Sequence, residues 1–119
     1  MRRKLKGITL EEIRKLNKKY GGDKLKNGDV DTAMYLSKNK GLYIQIAYIL
    51  RAILVGHPYT DGNKRTGFTA AVMMLKRNSV KLTAEQKNEL AKQIGKIAKK
   101  NIDSVGTIAR MIEYVITGN

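Results

Sequence analysis

A chain of 119 residues and 13.4 kDa has the size of one domain, and folding at that length hides roughly two-thirds of the extended chain's surface, enough for a core without staples. Apolar residues at 42% and charged residues at 29% exclude a disordered, collagen-like or low-complexity chain. The absence of cysteine excludes a disulfide framework, a thiol nucleophile and a cysteine zinc site, and a single His excludes a multi-histidine metal site. Lys and Arg number 24 against 10 Asp and Glu, a net charge of +14 that favours anionic partners without choosing among nucleotides, nucleic acid, acidic proteins and acidic membranes. The bases are spread along the chain, as solvated lysines on polar helix faces are.

The expected organisation is one domain over 1–119, with 1–7 as a basic tail containing Arg2, Arg3, Lys4 and Lys6. No apolar run follows that tail, so it does not read as a signal peptide. The longest apolar stretch, Leu42 to Val55, is interrupted by Gln45 and Arg51 and is shorter than the about 20 residues a bilayer needs. No membrane association is expected, and a cytoplasmic location is.

Thr9 with Glu12 predicts a capping box at a first helix, with Ile8 and Ile13 spaced as a hydrophobic staple. Ile13, Leu16 and Tyr20 continue it, and Gly21-Gly22 stops it. A polar link runs from Asp23 to Gly28. A short helix opened by Asp29 or Asp31 carries Met34, Tyr35 and Leu36 and breaks at Lys38-Asn39-Lys40-Gly41. Residues 40–45 are also compatible with an extended segment. The apolar run then predicts a central helix with Ile46, Ile49, Leu50 and Ile53 on one stripe.

Gly56 to Gly62 is a break made of turn formers. A helix follows from Asn63 to about Arg77, with Phe68, Ala71, Val72 and Leu75 inward, ended by Asn78-Ser79. Thr83 and Gln86 predict a second capping box, leading Leu90, Ile94 and Ile97. Asp103 or Ser104 caps a last helix with Val105, Ile108, Ile112 and Val115, stopped by Gly118. No convincing strand alternation or hairpin turn is present. The expected fold is an all-α, compact bundle of five to six helices, with the 56–62 loop between two core helices.

That loop is where chemistry concentrates. Its end meets a helix start, whose first N–H groups have no intrahelical partners and whose dipole favours an anion. Gly62 permits close approach of a phosphate, Lys64 and Arg65 add positive charge, and Asn63 offers an amide donor. Asp61 is a hard oxygen ligand, sufficient for Mg²⁺ only when phosphates complete the shell. An unperturbed imidazole has a pKa of about 6.5, so His57, the sole His, suits a general base if it lies within hydrogen-bond reach of a hydroxyl. Each feature alone has a plainer reading. A lone His before Pro58 is more often a helix-ending residue, Asp61-Gly62-Asn63 is an ordinary turn and helix cap, and Lys64-Arg65 is a common charged pair. Their combination at one helix start suits phosphoryl or nucleotidyl transfer.

The run His57-Pro58-Tyr59-Thr60-Asp61-Gly62-Asn63-Lys64-Arg65-Thr66-Gly67 resembles the signature of the Fic/Doc (filamentation induced by cAMP, death on curing) superfamily: His, any residue, an aromatic, any residue, an acid, a small residue, Asn, Gly or Lys, Arg. Fic-type adenylyltransferases carry Gly after the Asn and a second Arg eleven residues after the His. This chain has Lys64 and Phe68 there, and both departures point toward the Doc branch, which has the Asn-Lys-Arg-Thr run found here at Asn63 to Thr66. Ile8 to Gly22 and Leu42 to Arg77 are similar to the Doc opening helix and core; from Thr83 onward the likeness is one of helical pattern.

The resemblance implies a toxin of a toxin–antitoxin pair. It transfers the γ-phosphate of ATP or another nucleoside triphosphate, with Mg²⁺, to a hydroxyl of a protein such as elongation factor Tu, and so blocks translation. His57 is then the general base, Asp61 the Mg²⁺ ligand, and Asn63 and Arg65 phosphate ligands. Gly62 gives backbone access. Lys64 fills the usual anion hole and stabilises transferring charge. Tyr59 anchors the loop, and Phe68 joins the core. The segment Ser37 to Gln45, where Fic enzymes carry a target-aligning flap, is short here, with Lys38 and Lys40 facing an acidic partner at most. The Fic inhibitory motif is not found: Glu113 is followed by Tyr114 and preceded four residues earlier by Ala109. Control is then expected from an antitoxin of the prevent-host-death type. AMP transfer on the same fold is the alternative, and a basic nucleic-acid-binding module the third reading, though nucleic acid is not the expected partner.

Overall fold

Helix α1 (Leu10–Lys19) starts where the capping box puts it. Thr9 Oγ1 accepts the Glu12 N–H at 3.1 Å, and Glu12 Oε1 accepts the Thr9 N–H at 3.0 Å, which satisfies donors that a first turn leaves unpaired. Ile8 and Ile13 are both buried, as a staple requires. Gly21 follows at φ +67°, a conformation open to glycine at little cost. The computed structural model describes residues 5–21, 27–55 and 61–118, without the side chains of residues 27–29 and 61. Most of the link expected over Asp23–Gly28, and the basic residues Arg2 to Lys4, lie outside the described residues.

Helix α2 (Asn27–Ser37) begins ahead of both expected openings, Asp29 and Asp31. Asn and Gly are well tolerated at helix N-termini, so the turn preference of Asn27-Gly28 does not keep them out of a first turn. Its inward stripe is Val30, Ala33, Met34 and Ser37, at helical spacing. Tyr35 and Leu36 lie off that stripe and are exposed. Three consecutive helical residues cannot share one face. Buried Ser37 is satisfied by its own helix, donating to the Ala33 carbonyl at 2.7 Å.

Residues 40–45 are not extended: α3 (Leu42–Leu54) opens directly after Gly41. Gln45 folds back to donate to the Lys40 carbonyl at 2.8 Å. Only Lys38 to Gly41 separate α2 from α3, and both lysines are exposed. Ile46, Ile49, Leu50 and Ile53 are buried as expected, joined by Ala47 and Leu54. α3 is the central helix, packed against α2, α4 (Asp61–Arg77), α5 (Ala84–Lys100) and α6 (Val105–Thr117). The described residues therefore form an all-α bundle of six helices with no strand, and α3 and α4 flank the 56–60 segment. No described helix is long and apolar enough to cross a membrane.

α4 opens two residues earlier than expected, at Asp61. Ala70, Ala71, Met74 and Leu75 face the core, while Val72 is half-buried. Gly67 sits where α4 crosses α3; a Cβ there would lie 3.2 Å from Leu50 Cδ2 and 3.4 Å from Leu54 Cδ2, so the glycine permits the close crossing. The Thr83–Gln86 capping box and the Ser104 cap form as expected.

The C-terminal end of α4 is strapped to the chain ahead of α1. Asn78 accepts the Lys6 N–H at 2.9 Å and donates to its carbonyl at 2.7 Å. Arg77 Nη1 donates to Glu12 Oε1 and to the Gly7 carbonyl, each at 3.0 Å, while its Nη2 pairs with Glu12 Oε2. The Arg77 guanidinium, then the Thr9 N–H, hold the Glu12 carboxyl down to about 2. A lowered carboxyl pKa stabilises the folded chain above its ordinary value of 4.5, and that contribution is lost as the pH falls toward 2. Both side chains are about one-third exposed, so solvent screening leaves about 1 kcal/mol of it. Glu12→Gln keeps the capping box but removes the charge. It is expected to lower the unfolding free energy in urea by about 1 kcal/mol at pH 7 and by little at pH 2; equal losses at both would refute the ion pair as the cause.

Candidate functional site

The first turn of α4 begins at Asp61, immediately after the 56–60 segment. Gly62, Asn63 and Thr66 are all buried. They meet α1 there. Asn17, itself only 6% exposed, donates from Nδ2 to Asn63 Oδ1 at 2.7 Å and to Thr66 Oγ1 at 3.4 Å. Thr66 Oγ1 donates to the Gly62 carbonyl at 2.6 Å. One turn further along both helices, the Tyr20 hydroxyl and Thr69 Oγ1 are hydrogen-bonded at 3.0 Å. Two polar ties thus hold α1 across the start of α4, at residues spaced three apart on each helix.

Lys64 and Arg65 occupy a different side of the same turn. Lys64 is half-buried and Arg65 exposed. Both line a groove of about 390 Å³ with Tyr20, which caps the C-terminal end of α1, Phe68 of α4 and Ile94 and Gly95 of α5. Phe68 is half-buried on this groove, not enclosed in the core. The groove is apolar along Phe68 and Ile94 and cationic where Lys64 and Arg65 stand.

The expected site residues therefore divide. The structure brings Gly62, Asn63, Lys64 and Arg65 together in one helical turn, with Asn63 turned to α1 and the two cations at the groove. His57, Tyr59 and the Asp61 side chain lie outside the described residues. Among the described residues no cluster of three or more His, Cys, Asp or Glu could hold a metal by itself. A helix N-terminus with two cations beside it, and Asp61 adjoining in sequence, fits a polyphosphate that brings its own cation.

Sequence reasoning missed Asn17, Thr66 and Tyr20 as parts of this site. A signal for Asn17 exists: it is an amide on the inward stripe Ile13, Leu16, Asn17, Tyr20, where an apolar residue is ordinary. The share of α5 in the groove has no local signal.

The model of the Fic/DOC family matches residues 13–75, more than half of the chain, from the inward face of α1 to the C-terminal part of α4. Neither the curated proteins nor the solved structures give a significant match.

Proposed function

Because the chain belongs to the Fic/DOC family, whose members are transferases acting on proteins and in general use nucleoside triphosphates with Mg²⁺, we propose that it transfers a γ-phosphate to a Ser or Thr hydroxyl of a protein. The observation that carries this reading is Lys64 directly after Asn63 in the first turn of α4. A long cationic stem there occupies the space that a glycine would leave for the α-phosphate of an adenylyltransferase substrate. The triphosphate then binds with its γ-phosphate nearest the target.

The nucleotide, with Mg²⁺, supplies the phosphoryl group. His57 takes the proton of the target hydroxyl as its oxygen bonds to the γ-phosphorus and the β–γ bridging P–O bond breaks, leaving the diphosphate. Asp61 holds Mg²⁺ in company with the phosphates. Asn63 and Arg65 grip phosphate oxygens, Gly62 leaves the backbone open to them, and Lys64 offsets charge on the transferring group. The proposed target is elongation factor Tu, which makes the chain a Doc-like toxin. The proposed partner is an antitoxin of the prevent-host-death type. The groove along Phe68 and Ile94, flanked by Lys64 and Arg65, suits an amphipathic helix with acidic residues.

Incubation with elongation factor Tu and ATP labelled at either the α- or the γ-phosphate tests the reading. Label retained on the protein only from the γ-position is the expected result. Retention only from the α-position would replace phosphate transfer with AMP transfer.

A further inference from the structure

We propose that the pocket between α2 and the C-terminal half of α3 is a docking site for an Asp or Glu side chain of the protein substrate, with Arg51 as the residue that grips it. The inference rests on the protein-transfer reading above and adds where the substrate is held. The pocket has a volume of about 370 Å³. It is lined by Thr32 and Ala33 of α2, Tyr48 and Arg51 of α3, Val55 at the end of α3, and Asp103 just ahead of α6. It shares no lining residue with the groove of Lys64 and Arg65.

Arg51 is the one charged residue of α3. A cation in a last turn suits the helix dipole, but that needs neither a ring beneath it nor a cavity in front of it. The Arg51 guanidinium lies over the Tyr48 ring, 5.3 Å from its centroid, which fixes its plane. Stacking occupies the face and leaves the edge, where the five N–H donors are. Among the described residues its one hydrogen bond runs from Nη1 to the Asp103 carbonyl, and at 3.5 Å it is long. That bond goes to the Asp103 backbone. No ion pair joins Arg51 to the Asp103 carboxylate, and Asp103 is exposed. Two opposite charges thus line one pocket without contact between them.

That arrangement selects the occupant. A carboxylate matches the edge of a guanidinium with two parallel hydrogen bonds, and the exposed Thr32 hydroxyl is a further donor on the α2 wall. Asp103 repels a multiply charged polyphosphate. A peptide segment with one acid instead offers Asp103 its backbone N–H groups or a neighbouring base. Ala33 and Val55 give apolar wall to the methylenes of the acid. Val55 also precedes His57 by two residues, and two residues of chain span at most about 7 Å. A segment seated here is therefore held beside the residue proposed to take the proton of the target hydroxyl.

Two measurements on the full chain test the site. In the first, N-acetyl-glutamate amide is titrated against the Arg51 Nε–H resonance. A saturable shift is expected, absent with N-acetyl-glutamine amide and smaller with ATP and Mg²⁺. No shift, or the same shift with the glutamine analogue, overturns the site whether or not the chain transfers phosphate. In the second, γ-label transfer is followed against the concentration of elongation factor Tu. Arg51→Ala is expected to raise KM for the protein roughly 10-fold, the loss expected when a charged hydrogen bond goes, with KM for ATP and kcat nearly unaltered. Should the alanine fail to fold, Arg51→Gln keeps much of the stem without the charge, and the same rise is expected. A fall in kcat at an unchanged KM for the protein would make Arg51 a structural residue and overturn the proposal. If the unaltered chain labels no protein while the glutamate shift is present, the transfer reading has failed and the carboxylate site has not.

Discussion

His57→Ala is expected to lower protein phosphorylation by about 10²- to 10⁴-fold, the usual worth of a general base, while leaving the thermal unfolding transition nearly where it was. The chain has one His, so no second imidazole stands in for it. A hydroxyl on Ser or Thr is a poor nucleophile until a base within hydrogen-bond reach takes its proton, and of the side-chain types in the 56–67 run imidazole is the one whose unperturbed pKa, about 6.5, lies near neutral pH. The fully buried core of the described residues is built from the helices, at Ile13, Ile46, Leu50, Ile53, Leu54 and their partners in the later helices, and the fold is expected to survive the substitution. Retained γ-label and a circular-dichroism melt, measured on the same preparation, separate the two effects. Transfer at the unaltered rate would remove His57 from the mechanism. Loss of both transfer and fold would assign it a packing role instead.

What was legible in the chain was local. Both capping boxes, Thr9 with Glu12 and Thr83 with Gln86, form as their spacing predicts, since the partners are three residues apart and need no tertiary context. The stripe of α3 was legible because a helix buried on most faces announces itself by composition. The turn of Gly62 to Arg65 was legible as a cationic helix opening for the same reason. What was not legible depends on pairs far apart in sequence. Asn17 meets Asn63 and Thr66 across 46 and 49 residues, and Phe68 meets Ile94 only because α4 packs on α5. The exposure of Tyr35 and Leu36 follows from which face of α2 touches α3, and a short helix with three apolar residues in a row leaves that face undecided.

Lys64→Gly is the sharper variant, because it should change the product as well as the rate. Lys64 lies half-buried in the first turn of α4, against the groove it shares with Phe68 and Tyr20. The glycine removes both the cation and the volume of its stem. Losing a charge that offsets the transferring phosphoryl group is expected to cost about 10²-fold in retained γ-label, comparable to removing one donor from an oxyanion site. Losing the stem frees space for an α-phosphate beside Asn63, so a small retained α-label should appear where the unaltered chain gives none. Glycine in a first helical turn also costs up to about 1 kcal/mol of helix stability, and Lys64→Ala isolates that contribution, since it removes the charge while keeping a good helix former. Both variants should lose γ-transfer alike if the charge is what matters. Undiminished γ-transfer in both would mean that the residue after Asn63 does not decide which phosphate reacts. The orientation of the triphosphate would then have to come from the groove side of α4, where Arg65 and Phe68 stand.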